Sequence, residues 1–194
     1  WVFPRQAGKD ETIAQLETFL LTLFQRVEAC IVHVYPTQQQ ITTGITRLTR
    51  RLDNHMTATY WHHHNNPTRI TLGHATCTFF SGHPQARAEG ATANLLLIIN
   101  ETQDQDEATI ERRFIPMRAS TNATALFVGT VRTTTDFLWR TRTRLERLEQ
   151  TDGIRRVYTI GPDDVGRDNP HYASFVASQV ALKGRQHPAV KTEL

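Results

Sequence analysis

An α/β domain with a mostly parallel central sheet between helical layers is the fold class this sequence predicts. Short β-rich runs alternate with helical stretches of three-and-four apolar spacing, the pattern of strand, crossover helix and next strand. The run Leu95-Leu96-Leu97-Ile98-Ile99 is aliphatic throughout, without alternation, as in a strand buried on both faces of a parallel sheet. With 194 residues, 39% of them hydrophobic, the chain suits one such core.

Element by element, Trp1 to Phe3 is short and apolar and reads as the end of a buried strand, bounded by Pro4. Arg5 to Glu11 is a polar loop. From Thr12 a helix follows, because Ile13, Leu16, Leu20, Leu23 and Phe24 recur on one face. Cys30 to Tyr35 reads as a strand stopped by Pro36, and Gln38 to Leu52 as a polar helix. Met56 to Trp61 and Thr68 to Leu72 flank the turn signal Asn65-Asn66-Pro67 and predict a small hairpin insertion. Ala75 to Phe80 is a further strand, and Ser81 to Gly90 a polar loop. Beyond the aliphatic run, Asp106 to Met117 reads as helix with Pro116 as its weak point. Ala125 to Val128 is a buried strand ending in Gly129-Thr130. Asp136 to Leu148 is an Arg-rich helix, Val157 to Ile160 a last strand, and Pro170 to Leu182 a helix with Gly184 near its stop. No repeat and no boundary of a second domain is visible, so residues 1–194 read as one domain.

The formal charge of +3 and a pI near 9.1 permit contact with nucleic acid without demanding it. Charged residues at 21% and the lack of low-complexity tracts argue against wholesale disorder. No apolar run approaches the roughly 20 residues that span a bilayer, and no secretory signal opens the chain. Cys30 and Cys77 sit in apolar strand-like stretches and read as reduced core thiols of an intracellular protein. Because it starts at Trp1, the chain is expected to be a piece of a longer polypeptide.

The chemistry centres on two segments. A nucleoside triphosphate needs backbone N–H groups at a helix start and a Lys near its β/γ end. Strand, loop, Gly8-Lys9 and helix follow in that order. Phe3 stands where the first glycine of such a loop falls, and Asp10 where a hydroxyl residue follows the Lys. A surface turn before an amphipathic helix is the plainer reading of the same residues. Hydrolysis also needs a carboxylate to orient water and a metal anchor, both at the end of a buried strand. Asn100-Glu101 ends the aliphatic run, so Glu101 is the candidate catalytic carboxylate. Asn100 takes the place of a Mg2+-anchoring Asp, with Asp10 or Asp104 left to supply the charge.

Together these segments resemble the ATPase half of phage terminase large subunits, a P-loop NTPase family with a RecA-like three-layer fold. Arg5-Gln6-Ala7-Gly8-Lys9-Asp10-Glu11 is similar to their variant Walker A loop, and Leu95 to Asp104 to their Walker B segment. Leu126-Phe127-Val128-Gly129-Thr130 is similar to their coupling motif, and Asn169 to Pro188 to the region closing the ATPase half. The resemblance implies that residues 5 to 11 bind ATP, that Lys9 contacts the β/γ phosphates, and that Arg5 acts as an arginine finger or phosphate sensor. It further implies that Glu101 activates water, that Asp10, Asn100 and Glu101 handle Mg2+, and that Gly129-Thr130 couples hydrolysis to movement. Its expected partners are double-stranded DNA, a homo-oligomeric ring on a portal, and a small terminase subunit, in the host cytoplasm and away from membranes. The family's adenine-binding segment upstream and nuclease domain downstream would lie outside these residues. Departures at Phe3, Asp10 and Asn100 leave a slow or inactive ATPase open. Two rival functions stand beside the motor: a helicase-like nucleic-acid-dependent ATPase, and a catalytically degenerate binding or assembly module.

Other features carry less. His62-His63-His64 on a strand would point to alternate faces and cannot all meet one ion. Cys77 has an apolar setting with no neighbouring base. Arg140, Arg142, Arg144 and Arg147, with Arg132, and the group Arg47, Arg50 and Arg51, fit either DNA phosphates or a solvated helix face. Tyr60 and Trp61 fit base stacking or hairpin packing.

Overall fold

The computed structural model describes residues 1–86, 90–187 and 190. In chain order its elements are α1 (Lys9–Phe24), β1 (Ala29–Tyr35), α2 (Gln38–Leu52), β2 (Trp61–Asn65), β3 (Thr68–Leu72), β4 (Ala75–Ser81), β5 (Leu96–Ile99), α3 (Glu107–Thr109), β6 (Thr124–Phe127), α4 (Phe137–Asp152), α5 (Pro162–Asp168) and α6 (Pro170–Lys183). They fall into two compact units. One comprises Asp10–Asn100 and Gln105–Leu126, the other Trp1–Lys9, Glu101–Asp104 and Phe127–Leu194. Each is assembled from separated stretches of chain, so no linear boundary announces them in the sequence.

The first unit holds the sheet, in the order β2-β3-β4-β1-β5-β6. β1 lies between β4 and β5 and runs parallel to both, with Ile31 opposite Cys77 on one side and Leu96 on the other. Ile31, Val32, Val34, Leu97, Ile98 and Ile99 are fully buried. Each such side chain contributes about 1.5–3 kcal/mol of transfer free energy, which explains why these short strands occupy the centre. The predicted hairpin exists and is antiparallel, and β3 also pairs antiparallel with β4. It therefore extends the edge of the main sheet.

Helix α2 buries Ile41, Gly44, Leu48 and Leu52. A methyl group on Gly44 would sit 2.1 Å from the Tyr35 Oη, so only glycine admits that ring. Helix α1 buries Ile13, Ala14, Leu21 and a carboxylate, Glu17.

Several boundaries differ from the sequence reading. α1 starts at Lys9, not Thr12, because Asp10 and Glu11 in its first turn favour the positive end of the helix dipole. Met56 to Tyr60 form a turn. Asn54 accepts from the Met56 N–H and Thr57 donates to the Leu52 carbonyl, so the strand begins only at Trp61. Asp106 to Met117 is broken into α3, a π turn (Ile110–Phe114) and a 3-10 turn (Ile115–Arg118). Pro116, lacking an N–H, accounts for the last change of pitch. β6 is half-buried, not buried, and Cys30 is half-buried while Cys77 is sealed. Residues 87–89 of the Ser81–Gly90 loop and Pro188 of the closing segment lie outside the described residues.

In the second unit Val2 takes the place of the first strand. It forms parallel bridges to Gly129 and to Thr159, the only bridge within the predicted Val157–Ile160 strand among the described residues. The sequence reading missed α5. Asp136 caps α4 by accepting from the Trp139 N–H at 2.7 Å, and Gly153, at φ 71°, ends it.

Candidate active site

The loop after Val2 is fixed at its base by backbone bonds. The Val2 N–H donates to Tyr158 O at 2.9 Å and the Phe3 N–H to Gly129 O at 3.0 Å. Gln6 (φ 61°) and Gly8 (φ 77°) then turn the chain through left-handed conformations. Gly8 has open space where a side chain would be, so its conformation, not packing, calls for glycine. The Tyr172 hydroxyl, on α6, donates to the Arg5 carbonyl at 3.3 Å and holds the loop from that side. Arg5, Gln6 and Gly8 are exposed, Ala7 partly so. The next residue, Lys9, opens α1.

Lys9 Nζ lies 2.5 Å from Glu101 Oε1, joining residues that stand some ninety positions apart. Their side chains are 10% and 22% exposed, enough to exchange partners with a ligand. Glu101 has φ 46°, a left-handed conformation costly for a non-glycine residue. Its other oxygen is also held: Gln103 Nε2 donates to Oε2 at 2.7 Å. The Gln103 Oε1 in turn accepts from the Thr130 N–H at 3.1 Å. A methyl group on Gly129 would meet that Oε1 at 2.0 Å, so the glycine makes room for the bridge. The Thr102 hydroxyl and Val128 backbone add two bonds of 3.2 Å beside it. Thus Lys9, Glu101, Gln103 and Thr130 form one hydrogen-bonded series within a single compact unit.

Sequence reasoning named three of those four residues. It gave no role to Gln103, which falls within the segment Leu95 to Asp104 and sits in the 3-10 turn Thr102–Asp104. Asp104, considered as a replacement metal anchor, is neutralised by Arg132 at 2.6 Å.

Asp10 and Asn100 belong to the other unit, where they meet. Asn100 Nδ2 donates to Asp10 Oδ1 at 3.2 Å, and Arg47 Nη1 binds Asp10 Oδ2 at 2.7 Å. Arg47 supplies the cation that an extra anion at position 10 requires. Glu11 pairs with Arg51 in the same way, 2.5 Å from its Nε. Tyr35 also bonds to Asn100. Burial first, then the carboxylates of Glu17 and Asp10, push its phenol well above the ordinary range. One carboxylate and one amide cannot complete a Mg2+ shell alone. Among the described residues no three His, Cys, Asp or Glu side chains are placed to hold a metal, His62 to His64 included.

Cys77 does have a neighbouring base, contrary to the sequence reading. Its thiol donates to Glu17 Oε1 at 3.3 Å, and His33 Nδ1 lies 2.6 Å from the same oxygen. All three residues are almost fully buried. Burial, and then Glu17, hold the Cys77 thiol well above its usual pKa, so it is not an activated nucleophile.

No protein-family model and no curated protein matches this sequence. Solved structures do. The ATPase domain of the Thermus phage P74-26 large terminase superposes with a TM-score of 0.69 at 15% identity, covering 95% of this chain and 84% of that one. This chain has the fold of a phage large-terminase ATPase domain. The HK97 bacteriophage large terminase matches with a TM-score of 0.65 at 15% identity, covering 78% of this chain and 33% of that one. The large terminase of a thermophilic bacteriophage, in complex with ADP, matches with a TM-score of 0.58 at 14% identity, covering 78% of this chain and 38% of that one. The chain thus spans about a third of the two longer large terminases. The terminase ATPase fold agrees with the α/β class read from the sequence. No helix among the described residues is long and apolar enough to cross a membrane.

Proposed function

We propose that this chain is the ATP-hydrolysing motor domain of a DNA-packaging machine of the large-terminase type, with MgATP as its substrate. The Lys9–Glu101 contact carries the reading. It brings a Lys at the start of a helix and a carboxylate at the exit of an apolar strand to one place. The ADP complex of a protein with the same fold adds support for nucleotide binding.

In this mechanism the exposed loop from Arg5 to Gly8 wraps the phosphates, with flanking Asp10 and Glu11 held by Arg47 and Arg51. Phosphate oxygens take over Lys9, which releases Glu101. Glu101, still held by Gln103, orients the water that attacks the γ-phosphorus in line. Mg2+ bound to the triphosphate would offset the charge of the leaving ADP. Arg5 stabilises the transferring phosphoryl group as finger or sensor. Gln103 passes the change at Glu101 to Thr130, and so to the DNA grip. The working assembly in this proposal is a homo-oligomeric ring on a portal, with a small terminase subunit, on duplex DNA in the host cytoplasm.

Phosphate release tests the chemistry. Glu101→Gln should slow MgATP hydrolysis on the order of a thousandfold while nucleotide still binds. Hydrolysis at the wild-type rate would refute the assignment. Wild-type binding without turnover would favour the degenerate assembly module, which the Arg47-neutralised Asp10 also fits.

A further inference from the structure

Helix α4 carries four arginines and three acidic residues. The acids are all engaged on or beside the helix. Glu146 binds Arg142 at 2.7 Å, Asp152 binds the Arg156 guanidinium at 2.6 Å, and Glu149 accepts from the Arg156 and Val157 N–H groups. Arg142 also lies over the Trp139 ring, 5.4 Å from its centroid. Arg140, Arg144 and Arg147 are exposed and stand at positions i, i+4 and i+7 of one stripe, with the Arg140 Nη1 donating to the Thr135 carbonyl. Among the described residues neither Arg144 nor Arg147 has a carboxylate partner.

The stripe lines a groove of about 470 Å³ together with Trp139, Thr143 and Thr151, the two threonine hydroxyls donating to the Trp139 and Arg147 carbonyls. Seven helical residues rise roughly 10 Å, the length over which one DNA strand presents about three phosphates. Low-dielectric walls beside a cation row focus the field on an approaching anion.

The base of α4 is joined to the candidate active site within the same unit. Asp136, its cap, also accepts from the Arg132 and Thr133 N–H groups at 3.0 Å. Leu138 packs where a side chain on Gly129 would reach, at 3.0 Å. The Thr130 N–H bonds Gln103, which holds Glu101.

We propose that the Arg140–Arg144–Arg147 edge of α4 grips the sugar–phosphate backbone of duplex DNA and moves it in step with the Glu101–Gln103–Thr130 series. The assignment rests on the motor reading. Its specificity is for backbone charge, since three arginines and two threonines carry no geometry that selects a base.

The test is fluorescence anisotropy of a random-sequence duplex, titrated with the chain over a series of KCl concentrations. MgATP-analogue thermal shifts are measured in parallel. Replacing Arg140, Arg144 and Arg147 together by Ala should flatten the log K against log salt slope by about 3 and weaken binding more than tenfold at low salt. Triple replacement by Lys should keep most of the slope, which separates charge from misfolding. An Ala variant with the wild-type slope would overturn the proposal. So would a wild-type chain that binds nucleotide but no duplex, or that prefers an acidic protein, and the motor chemistry would survive either result. Absence of the nucleotide shift would instead remove the motor reading, whatever α4 binds.

Discussion

Two carboxylates of this chain sit in nearly equal contacts with opposite consequences. Glu17 lies 2.6 Å from His33, with side chains 2% and 0% exposed, and Glu101 lies 2.5 Å from Lys9, with side chains 22% and 10% exposed. The first is sealed between α1 and β1, shares its oxygen with the Cys77 thiol, and has the stacked rings of His33 and Tyr35 beside it. The second is reachable, and its backbone is held at a positive φ. Contact distance therefore does not tell a structural pair from a functional one. Access and backbone conformation do, because a buried pair cannot trade its partner for a ligand, while a partly exposed, strained one can.

The largest expected difference between the two is in stability. Glu17→Ala strips His33 and Cys77 of their shared partner in a dry interior and should cost about 3–4 kcal/mol, read from the urea midpoint. Glu101→Ala should stay within about 1 kcal/mol of the wild type. Equal losses would erase the distinction drawn between the pairs.

Alkaline pH should sharpen it next. The Cys77 thiol and the Tyr35 phenol are both held above their ordinary values of 9.0 and 10.0, chiefly by burial. In the unfolded chain they ionise at the ordinary values, so the stability they hold is complete below about pH 9 and declines as pH rises above it. The unfolding midpoint should fall through this window. The double variant Cys77→Ala, Tyr35→Phe, compared with itself at pH 7, should lose less. An unchanged pH profile would contradict it.

The smallest effect concerns strain. Glu101→Gly relieves the left-handed conformation and should leave the chain within about 1 kcal/mol of wild-type stability, although hydrolysis is lost. A large destabilisation would mean that the carboxylate's contacts hold the fold, as those of Glu17 do.

What could be read from residues alone follows from the kind of force involved. The run Leu95 to Ile99 and the strand Cys30 to Tyr35 are specified by local apolar content, so their place in a parallel sheet was legible. Lys9 and Glu101 were legible because each closes or opens such an element. Gln103 was not, since its role exists only once Glu101 and Thr130 are brought to either side of it. The same holds for Glu17. It lies on the same helix face as Ile13 and Leu20, and only the packed sheet shows a carboxylate there held by His33 and Cys77. Arg47 reads equally as a DNA contact or a solvated helix face, and its pairing with Asp10 depends on two helices meeting. The misread ends, Met56 to Tyr60 and the start of α1, were decided by individual caps and first-turn charges, which periodicity does not register.

The central claim is that Lys9 leaves Glu101 for the phosphates of a bound nucleotide. It is tested most directly by thermal unfolding of the wild type and of Lys9→Ala with a non-hydrolysable ATP analogue and Mg2+. The account predicts a melting temperature that climbs with ligand concentration in the wild type and stays flat in Lys9→Ala. A wild-type melting temperature indifferent to the analogue, or an equal climb in both proteins, would contradict it.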